Sequence, residues 1–221
     1  MANKNELSSA DESVIFSSPE VLASLKKSKI PCQFKSNETI FRAGDEPNGI
    51  YILEKGLAKI EVISQGGATH TLRLVAPGNI LGYRSLFANE AYHATAIAVD
   101  DAELSFVPKA AILKLFDLHP TLALKFLAHI SKDLRMAEEK WLDQMDKGAS
   151  ERIAEALLFL REHLATGTWT RREIAAWAGT TPETVIRTLA LFEKEGLIDQ
   201  TDGRNIYILE SEKLRARSLA K

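Results

Sequence analysis

Short apolar runs separated by glycine-rich turns fill the first half of the chain. The runs at 50–53, 58–63 and 69–75 are β-branched or alternate apolar with polar residues, and two further runs follow around 94–99 and 102–107. Alternation with a period of two is typical of strands, because successive side chains of a strand point to opposite faces of its sheet. Many short strands at near-regular spacing predict an antiparallel barrel or sandwich.

After Pro108 the period changes to that of a helix. A short helix is predicted to end near His119, and no glycine or proline interrupts the next stretch from 121 to about 146. Apolar positions there recur at alternating steps of three and four, the spacing of a coiled-coil seam. This spacing predicts a dimerisation helix that makes its contacts through Phe126, Ile130, Leu134, Ala137 and Trp141. The alternative is an amphipathic helix that packs on its own β-domain through Leu122, Leu124 and Leu127.

The pattern after residue 169 predicts a helix-turn-helix. Thr170 and Glu173 have the spacing of a capping box, and Gly179 suits the tight turn between two helices. Apolar residues at helical spacing give the second helix an inner face of Val185, Leu189 and Phe192. A turn at 202–203 followed by an apolar run at 206–209 predicts a small β-wing.

The N-terminal half of the second helix carries the residue types that read base pairs. Arginine can donate to guanine O6 and N7, a carboxylate can accept from cytosine N4, and an apolar side chain can contact a thymine methyl. The predicted base-reading residues are Glu183, Thr184, Ile186 and Arg187, and the predicted phosphate contacts are Thr170, Arg172, Thr181 and Arg204. An ordinary Glu–Arg pair on a solvated helix, worth only about 0.3 to 0.5 kcal/mol, is the alternative.

Composition narrows the class of protein without naming a function. The 221 residues carry a formal net charge of −2, so any DNA contact must come from a local cluster of charges. A single cysteine, Cys32, excludes an iron-sulfur cluster held by cysteines, and no metal site is predicted. The chain shows no membrane-spanning stretch, no signal peptide and no nucleophile–base pair, so we expect a cytoplasmic protein that is not an enzyme and does not contact membranes.

Four groups of motifs carry a resemblance to a known family. They lie at 44–56, at 78–87, at Arg152-Ile153-Ala154 and at 183–187. On these the chain, from about 34 to 209, resembles the bacterial Crp/Fnr transcription regulators, named for the cyclic AMP receptor protein and the fumarate-nitrate reductase regulator. The resemblance implies an α+β fold with a β-roll sensor (1–117), a long dimerisation helix (118–147) and a winged helix-turn-helix (148–221). It also implies a homodimer on palindromic promoter DNA, with RNA polymerase as a further partner.

The resemblance places an effector pocket between the β-roll and the long helix. Its residues are Gly82, Tyr83, Arg84, Ser85, His93, Ala94, Ala137 and Glu138. Members of the family that bind cyclic AMP have Glu at the position of Tyr83, and an Arg-Ser pair where this chain has His93-Ala94. Arg84 could contact an anion, although a solvated charge at a strand end is the favoured interpretation.

These departures make cyclic AMP control unexpected. A different small-molecule effector, or none, is predicted instead. His93 or His70 could act as an axial haem ligand, but a lone histidine on a strand is more often structural. The alternative function is a β-roll ligand-binding or protein-interaction module without direct DNA readout.

Overall fold

The protein folds into a β-roll followed by helices, as the sequence predicts, with one further helix, Pro19–Lys26, before the first strand. The structure is a computed structural model that describes residues 15–16, 18–163, 169–201, 203 and 205–219, without the side chains of residues 162 and 163. The strands are β1 Ile30–Phe34, β2 Thr39–Phe41, β3 Gly49–Lys55, β4 Ala58–Ile63, β5 Thr69–Val75, β6 Ile80–Leu81, β7 Thr95–Ala98, β8 Ala102–Pro108, β9 Ile198–Asp199 and β10 Tyr207–Ile208. The helices are α1 Pro19–Lys26, α2 Tyr83–Ala88, α3 Lys109–Leu118, α4 Thr121–Asp146, α5 Ala149–His163, α6 Arg171–Ala178, α7 Pro182–Lys194 and α8 Ser211–Leu219.

Two four-stranded antiparallel sheets form the β-roll. Their strand orders are β1-β8-β3-β6 and β2-β7-β4-β5. Residues from both sheets share one core, which includes Leu53, Leu104, Ala58 and Ala96. The antiparallel sandwich expected from the short strand runs is therefore the observed fold.

Residues 50–53 of β3, inside the first sheet, pack against a core on each face, which explains why this run is apolar throughout instead of alternating. Leu53 lies in the core between the sheets. Ile50 and Ile52 lie on the opposite face, in a second core completed by residues of the helices, among them Ile112 of α3 and Phe126 of α4. Period two thus places neighbouring residues of β3 in two different cores.

The structure places the first residues of the predicted dimer seam on the inner face of the helix. Phe126 of α4 is only 2% exposed and packs in the core beside the β-roll, and Ile130 packs against that core. The other residues of the predicted seam, Leu134, Ala137 and Trp141, are exposed. The residues of α4 that stay exposed and follow the three-four spacing are Leu124, Leu127, Leu134, Trp141 and Met145.

The alternative interpretation of this helix was also only partly right. Leu122 is buried on the β-roll, as that interpretation expects, whereas Leu124 and Leu127 are exposed. The helix therefore has two apolar stripes, and only one of them is used within the chain.

Contacts divide the chain into two compact units. One comprises residues up to 63 with 72–137, and the other comprises 64–71 with the residues from 138 onward. Helix α4 is shared between the two units instead of forming a domain of its own at 118–147. None of the helices in the described ranges is long and apolar enough to span a membrane.

Helices α5 to α8 and the hairpin β9–β10 make up most of the second unit. The Trp177 ring of α6 stacks on Phe159 of α5, with ring centroids 4.7 Å apart. Ile174, Val185 and Leu189 are fully buried, so the inner faces of α6 and α7 are those that helical spacing predicts. The wing strands pair in register, Tyr207 with Asp199 and Ile208 with Ile198.

Candidate nucleic-acid interface and sensor site

The first helix of the helix-turn-helix begins and ends as its sequence dictates. The Thr170 hydroxyl accepts from the backbone N–H of Glu173 at 3.2 Å, and the Glu173 carboxylate accepts from the backbone N–H of Thr170 at 2.9 Å, which completes the predicted capping box. Gly179 ends the helix with φ +60°, the left-handed conformation that favours glycine. Both ends of α6 are thus fixed by local chemistry.

Helix α7 presents its N-terminal half to solvent. Thr181 caps it by accepting from the backbone N–H of Thr184, and Pro182 occupies the first turn, where no backbone donor is needed. Glu183, Ile186 and Arg187 are exposed on the side opposite the buried residues. An exposed, capped helix start with these side chains can enter a major groove and contact base edges.

The side chains at the start of α7 are arranged by one another. Arg187 Nη2 donates to Thr184 Oγ1 at 3.5 Å, and the two hydroxyls of Thr181 and Thr184 are 3.2 Å apart. Hydrogen bonds from its own backbone N–H and from the Thr181 hydroxyl hold the pKa of Glu183 below its usual value. Glu183 is therefore a carboxylate at neutral pH, the form that accepts from cytosine.

The residues predicted to contact phosphate differ in whether their side chains already make hydrogen bonds within the protein. Thr170 and Thr181 use their hydroxyls in the helix caps, although both residues stay exposed beside helix starts. Arg172 is exposed on α6. Arg204 lies outside the described residues, so its prediction stands without a structural account.

Arg152 holds the turn of the helix-turn-helix, a role that sequence reasoning missed. Its guanidinium donates to the backbone oxygens of Ala178 at 2.7 Å, Gly179 at 3.4 Å and Lys147 at 2.5 Å. The Arg-Ile-Ala triplet was recognised only as part of the family resemblance. Its physical function is to supply donors to carbonyls that α4 and α6 leave unpaired at their C-terminal ends.

In the β-roll, a sharp turn opens the short helix α2. Gly82 has φ +83°, and a Cβ there would lie 3.2 Å from the Tyr92 hydroxyl, so this position requires glycine. Tyr83 follows it and is fully buried. The turn therefore directs the side chain after the glycine into the protein interior.

Tyr83 belongs to an ionic cluster around the buried Asp133, which we call the Asp133 cluster: Arg73, Tyr83, Arg84, His129 and Asp133. The Tyr83 hydroxyl donates to Asp133 Oδ2, and the same oxygen accepts from Arg84 Nη2 at 2.7 Å and from Arg73 Nη1 at 3.2 Å. His129 Nε2 lies 4.0 Å from that oxygen. The Asp133 side chain is only 4% exposed.

Charge and burial act in opposite directions on the pKa values in this cluster. Burial by itself would raise the pKa of Asp133, but the Arg73 charge and the hydrogen bonds from Tyr83 and Arg84 outweigh it and hold that pKa below its usual value. Burial raises the pKa of Tyr83, and the Asp133 charge raises it further against the opposing effect of Arg73. Burial lowers the pKa of His129, helped by both arginines. The cluster is thus an ionised carboxylate held by two arginines and a neutral phenol.

The interpretation of Arg84 as a solvated strand-end charge was wrong. Arg84 lies on helix α2, and its Nε and Nη2 atoms both donate to Asp133. Arg73 and Asp133 were not singled out from the sequence, because they lie 60 residues apart and each is typical of an exposed strand or helix face. The one signal was Asp133 itself, which falls on the inner stripe of α4, seven residues after Phe126.

The other residues of the predicted effector pocket are dispersed. Ser85 is buried on α2, and Ala94 lies in the core between the sheets. His93 is exposed, and Ala137 and Glu138 are exposed on α4. Within the described residues, only Tyr83 and Arg84 of the predicted set join the Asp133 cluster.

The Asp133 cluster occupies the turn after Gly82, where the resemblance places part of the effector pocket. Arg73 and Arg84, beside that turn, both donate to the Asp133 carboxylate. Tyr83 fills the buried position at which the resemblance expects a carboxylate for a ribose hydroxyl. Among the side chains that the structure describes, no group of three or more histidine, cysteine, aspartate or glutamate residues is placed to hold a metal ion.

Comparison with known proteins agrees with the two halves of the fold. Residues 31–119 match the family of cyclic nucleotide-binding domains, and residues 151–217 match the Crp-like helix-turn-helix domain. The "Cyclic AMP receptor protein" of Thermus thermophilus is 33% identical over 168 residues, which cover 75% of this chain and 77% of that protein. The "CRP-like cAMP-activated global transcriptional regulator" of Mycobacterium tuberculosis is 25% identical over 209 residues, 90% of this chain and 93% of that protein.

A solved structure shows the same architecture. The crystal structure of a CRP/FNR-family transcriptional regulator from Thermus thermophilus superposes with a TM-score of 0.72 at 27% identity, covering 86% of this chain and 99% of the other. The helix-turn-helix match and these relatives support a DNA-binding regulator over the alternative function, a β-roll module without DNA readout. The chain belongs to the Crp/Fnr family and is a DNA-binding transcription regulator.

Proposed function

We propose that this regulator acts as a homodimer, binds a palindromic promoter site through α7 and needs no cyclic AMP to do so. The observation that supports base recognition is that Glu183, Ile186 and Arg187 are exposed at the capped start of α7. They lie opposite the fully buried inner face of this helix. Arg187 donates to guanine, Glu183 accepts from cytosine, and Ile186 contacts a thymine methyl. RNA polymerase is the expected further partner at the promoter.

The exposed stripe of α4 supports the homodimer. Leu134 is 60% and Trp141 is 66% exposed, which is unusual for large apolar side chains that recur on one face of a helix. Two copies of the same stripe cover each other in a coiled coil. A dimer with a two-fold axis places its recognition helices in half-sites about 34 to 36 Å apart.

The test is selection of bound duplexes from a random DNA library, with purified protein, no added ligand and near-physiological salt. We expect an enriched palindrome whose half-sites share a G·C step. Arg187→Ala should lose this enrichment, because it removes the guanine donor. Lys194→Ala, at the exposed C-terminal end of the same helix, is the matched control and should keep it.

Two results would contradict the proposal. Enrichment of a single half-site would argue against a dimer with two-fold symmetry. An unchanged selected sequence for a folded Arg187→Ala variant would exclude Arg187 as a base reader.

A further inference from the structure

The Asp133 cluster concentrates its donors on a single carboxylate oxygen. Arg84 donates to Asp133 Oδ2 through Nη2 at 2.7 Å and Nε at 3.3 Å, Arg73 donates through Nη1 at 3.2 Å, and the Tyr83 hydroxyl is the fourth donor. A carboxylate oxygen offers two lone pairs, so this acceptor is fully used. Arg84 Nη2 and Arg73 Nη1 lie within about 6 Å of each other, because they are 2.7 and 3.2 Å from the same oxygen.

The donors form a site that is complementary to a carboxylate. Two guanidinium groups and one phenol surround one anion. The phenol is fully buried, whereas the side chains of Arg73 and Arg84 are 21% and 41% exposed. The Tyr83 ring lies 4.9 Å from the His129 ring. Three of these groups come from the β-roll: Arg73 from β5, and Tyr83 and Arg84 from α2. The anion comes from α4, so the bound group belongs to a different element from its donors.

We propose that Arg73, Tyr83 and Arg84 form a carboxylate-binding site whose occupant is Asp133, so that the chain carries its own ligand at the turn after Gly82 and takes up no external anion there. An external anion would have to displace Asp133 and leave that carboxylate buried beside a second negative charge, which is strongly unfavourable. The inference deepens the proposed function and rests on it only where DNA binding is the readout.

Chemical rescue distinguishes an occupied site from an ordinary ion pair. Asp133→Ala removes the carboxylate and leaves space for a small one. We expect its thermal midpoint to fall by roughly 5 to 10 °C, because two arginines lose their buried partner. Sodium formate should restore most of that loss, whereas sodium chloride at equal ionic strength should not.

Three further proteins serve as controls. The wild type should show no response to formate or inorganic phosphate beyond that to chloride. Asp117→Ala, which removes an exposed carboxylate from α3, should leave the midpoint and its formate response unchanged. Tyr83→Phe keeps the ring and Asp133 but removes one donor, so we expect a smaller drop in the midpoint that formate does not restore.

Specific outcomes would overturn the proposal. Stabilisation of the wild type by phosphate or formate would show that the site takes external anions. An unchanged midpoint of Asp133→Ala, or a loss that formate does not reverse, would show that Asp133 is not a replaceable occupant. If Asp133→Ala does not fold, Tyr83→Phe still tests the proposal. A drop in its thermal midpoint that formate reverses would contradict the proposal, because the Asp133 carboxylate is still present in this variant.

DNA binding separates failure of this inference from failure of the proposed function. A wild type that binds no duplex under any condition would contradict the proposed function, while the rescue of the thermal midpoint would still decide the carboxylate site.

Discussion

Arg152 shows how one side chain can join two helix ends. Its guanidinium bonds the backbone oxygen of Lys147 after α4 and those of Ala178 and Gly179 after α6. We expect Arg152→Gln to lower the free energy of unfolding by about 2 kcal/mol, since hydrogen bonds from a charged donor are lost and half-buried carbonyls stay unpaired. Chemical denaturation of the purified protein measures this.

The control for Arg152 is an exposed arginine on the neighbouring helix α6. Arg172→Gln, at an exposed position of α6, should change the free energy of unfolding by less than about 0.5 kcal/mol. Equal effects of the two substitutions would mean that the three carbonyl contacts contribute no stability.

His129 gives the stability of the fold a dependence on pH. Burial, together with Arg73, Arg84 and Lys132, lowers its pKa, against the opposing effect of Asp133. As pH falls through the ordinary histidine value of about 6.5, the unfolded chain takes up a proton that the folded chain does not. Stability should therefore fall on acidification from pH 7 to 5, by at most about 1.4 kcal/mol per pH unit.

The variant His129→Phe tests this origin of the pH dependence. It keeps a buried ring beside Tyr83 and should flatten the slope of unfolding free energy between pH 7 and 5. The exposed His93→Gln is the control and should keep the slope. Asp133, whose pKa is lowered, contributes stability that is lost only at lower pH, so a slope confined to below pH 4 would assign the effect to Asp133 instead.

At the scale of residues, helix caps and turns could be predicted from the sequence, whereas contacts between residues far apart in the chain could not. The capping box of Thr170 and Glu173, the turn glycine Gly179 and the inner face of α7 follow from spacing within one or two turns of helix, and the structure has all three. The Asp133 cluster depends on side chains 49 to 60 residues apart, which only the fold brings together.

At the scale of elements, strongly patterned segments were predicted, whereas α1, α2, β1, β2 and β6 were missed. Strands β4 and β5 have the predicted limits, whereas the short strands β2 and β6, of three and two residues, left no periodic signal. Helix α4 was predicted at nearly its full length. The predicted seam combined residues of its two apolar stripes, because spacing cannot tell which stripe packs inside the chain.

The exposed stripe of α4 predicts which residues hold the proposed homodimer together. The double substitution of Leu127→Glu with Leu134→Glu places charges on the exposed stripe, and we expect it to convert the dimer to folded monomers in sedimentation equilibrium. Leu113→Glu, at an exposed leucine of α3, is the control and should leave the dimer intact.

Phe126 provides the contrast to these exposed leucines. Phe126→Ala should lower the free energy of unfolding by about 3 to 5 kcal/mol, because the ring is in the core of its own unit. A dimer that survives both charges on Leu127 and Leu134 would place the interface elsewhere.

At the scale of the whole molecule, the net charge of −2 gives DNA no general attraction, so affinity must come from a few local cations. Arg172 and Arg187 are both exposed arginines on neighbouring helices, yet they are expected to play different parts. Arg172 is predicted to contact phosphate, which positions the protein but carries no sequence information. Arg187 is predicted to contact a base.

Comparison of the two variants in salt titrations separates these parts. Arg172→Gln should weaken binding to all duplexes alike and reduce the slope of log affinity against log salt by about 2, one contact in each half of a dimer. Arg187→Gln should instead relax selectivity at one G·C pair per half-site, at a cost of about 1 to 3 kcal/mol against the selected sequence. Lys194→Gln, at the far end of α7, should change neither quantity. Two outcomes would contradict the assignment of α7 as the base-reading helix: a changed selected sequence for Arg172→Gln, or a changed salt slope alone for Arg187→Gln. A helix whose arginine does not distinguish one base pair from another does not read the sequence.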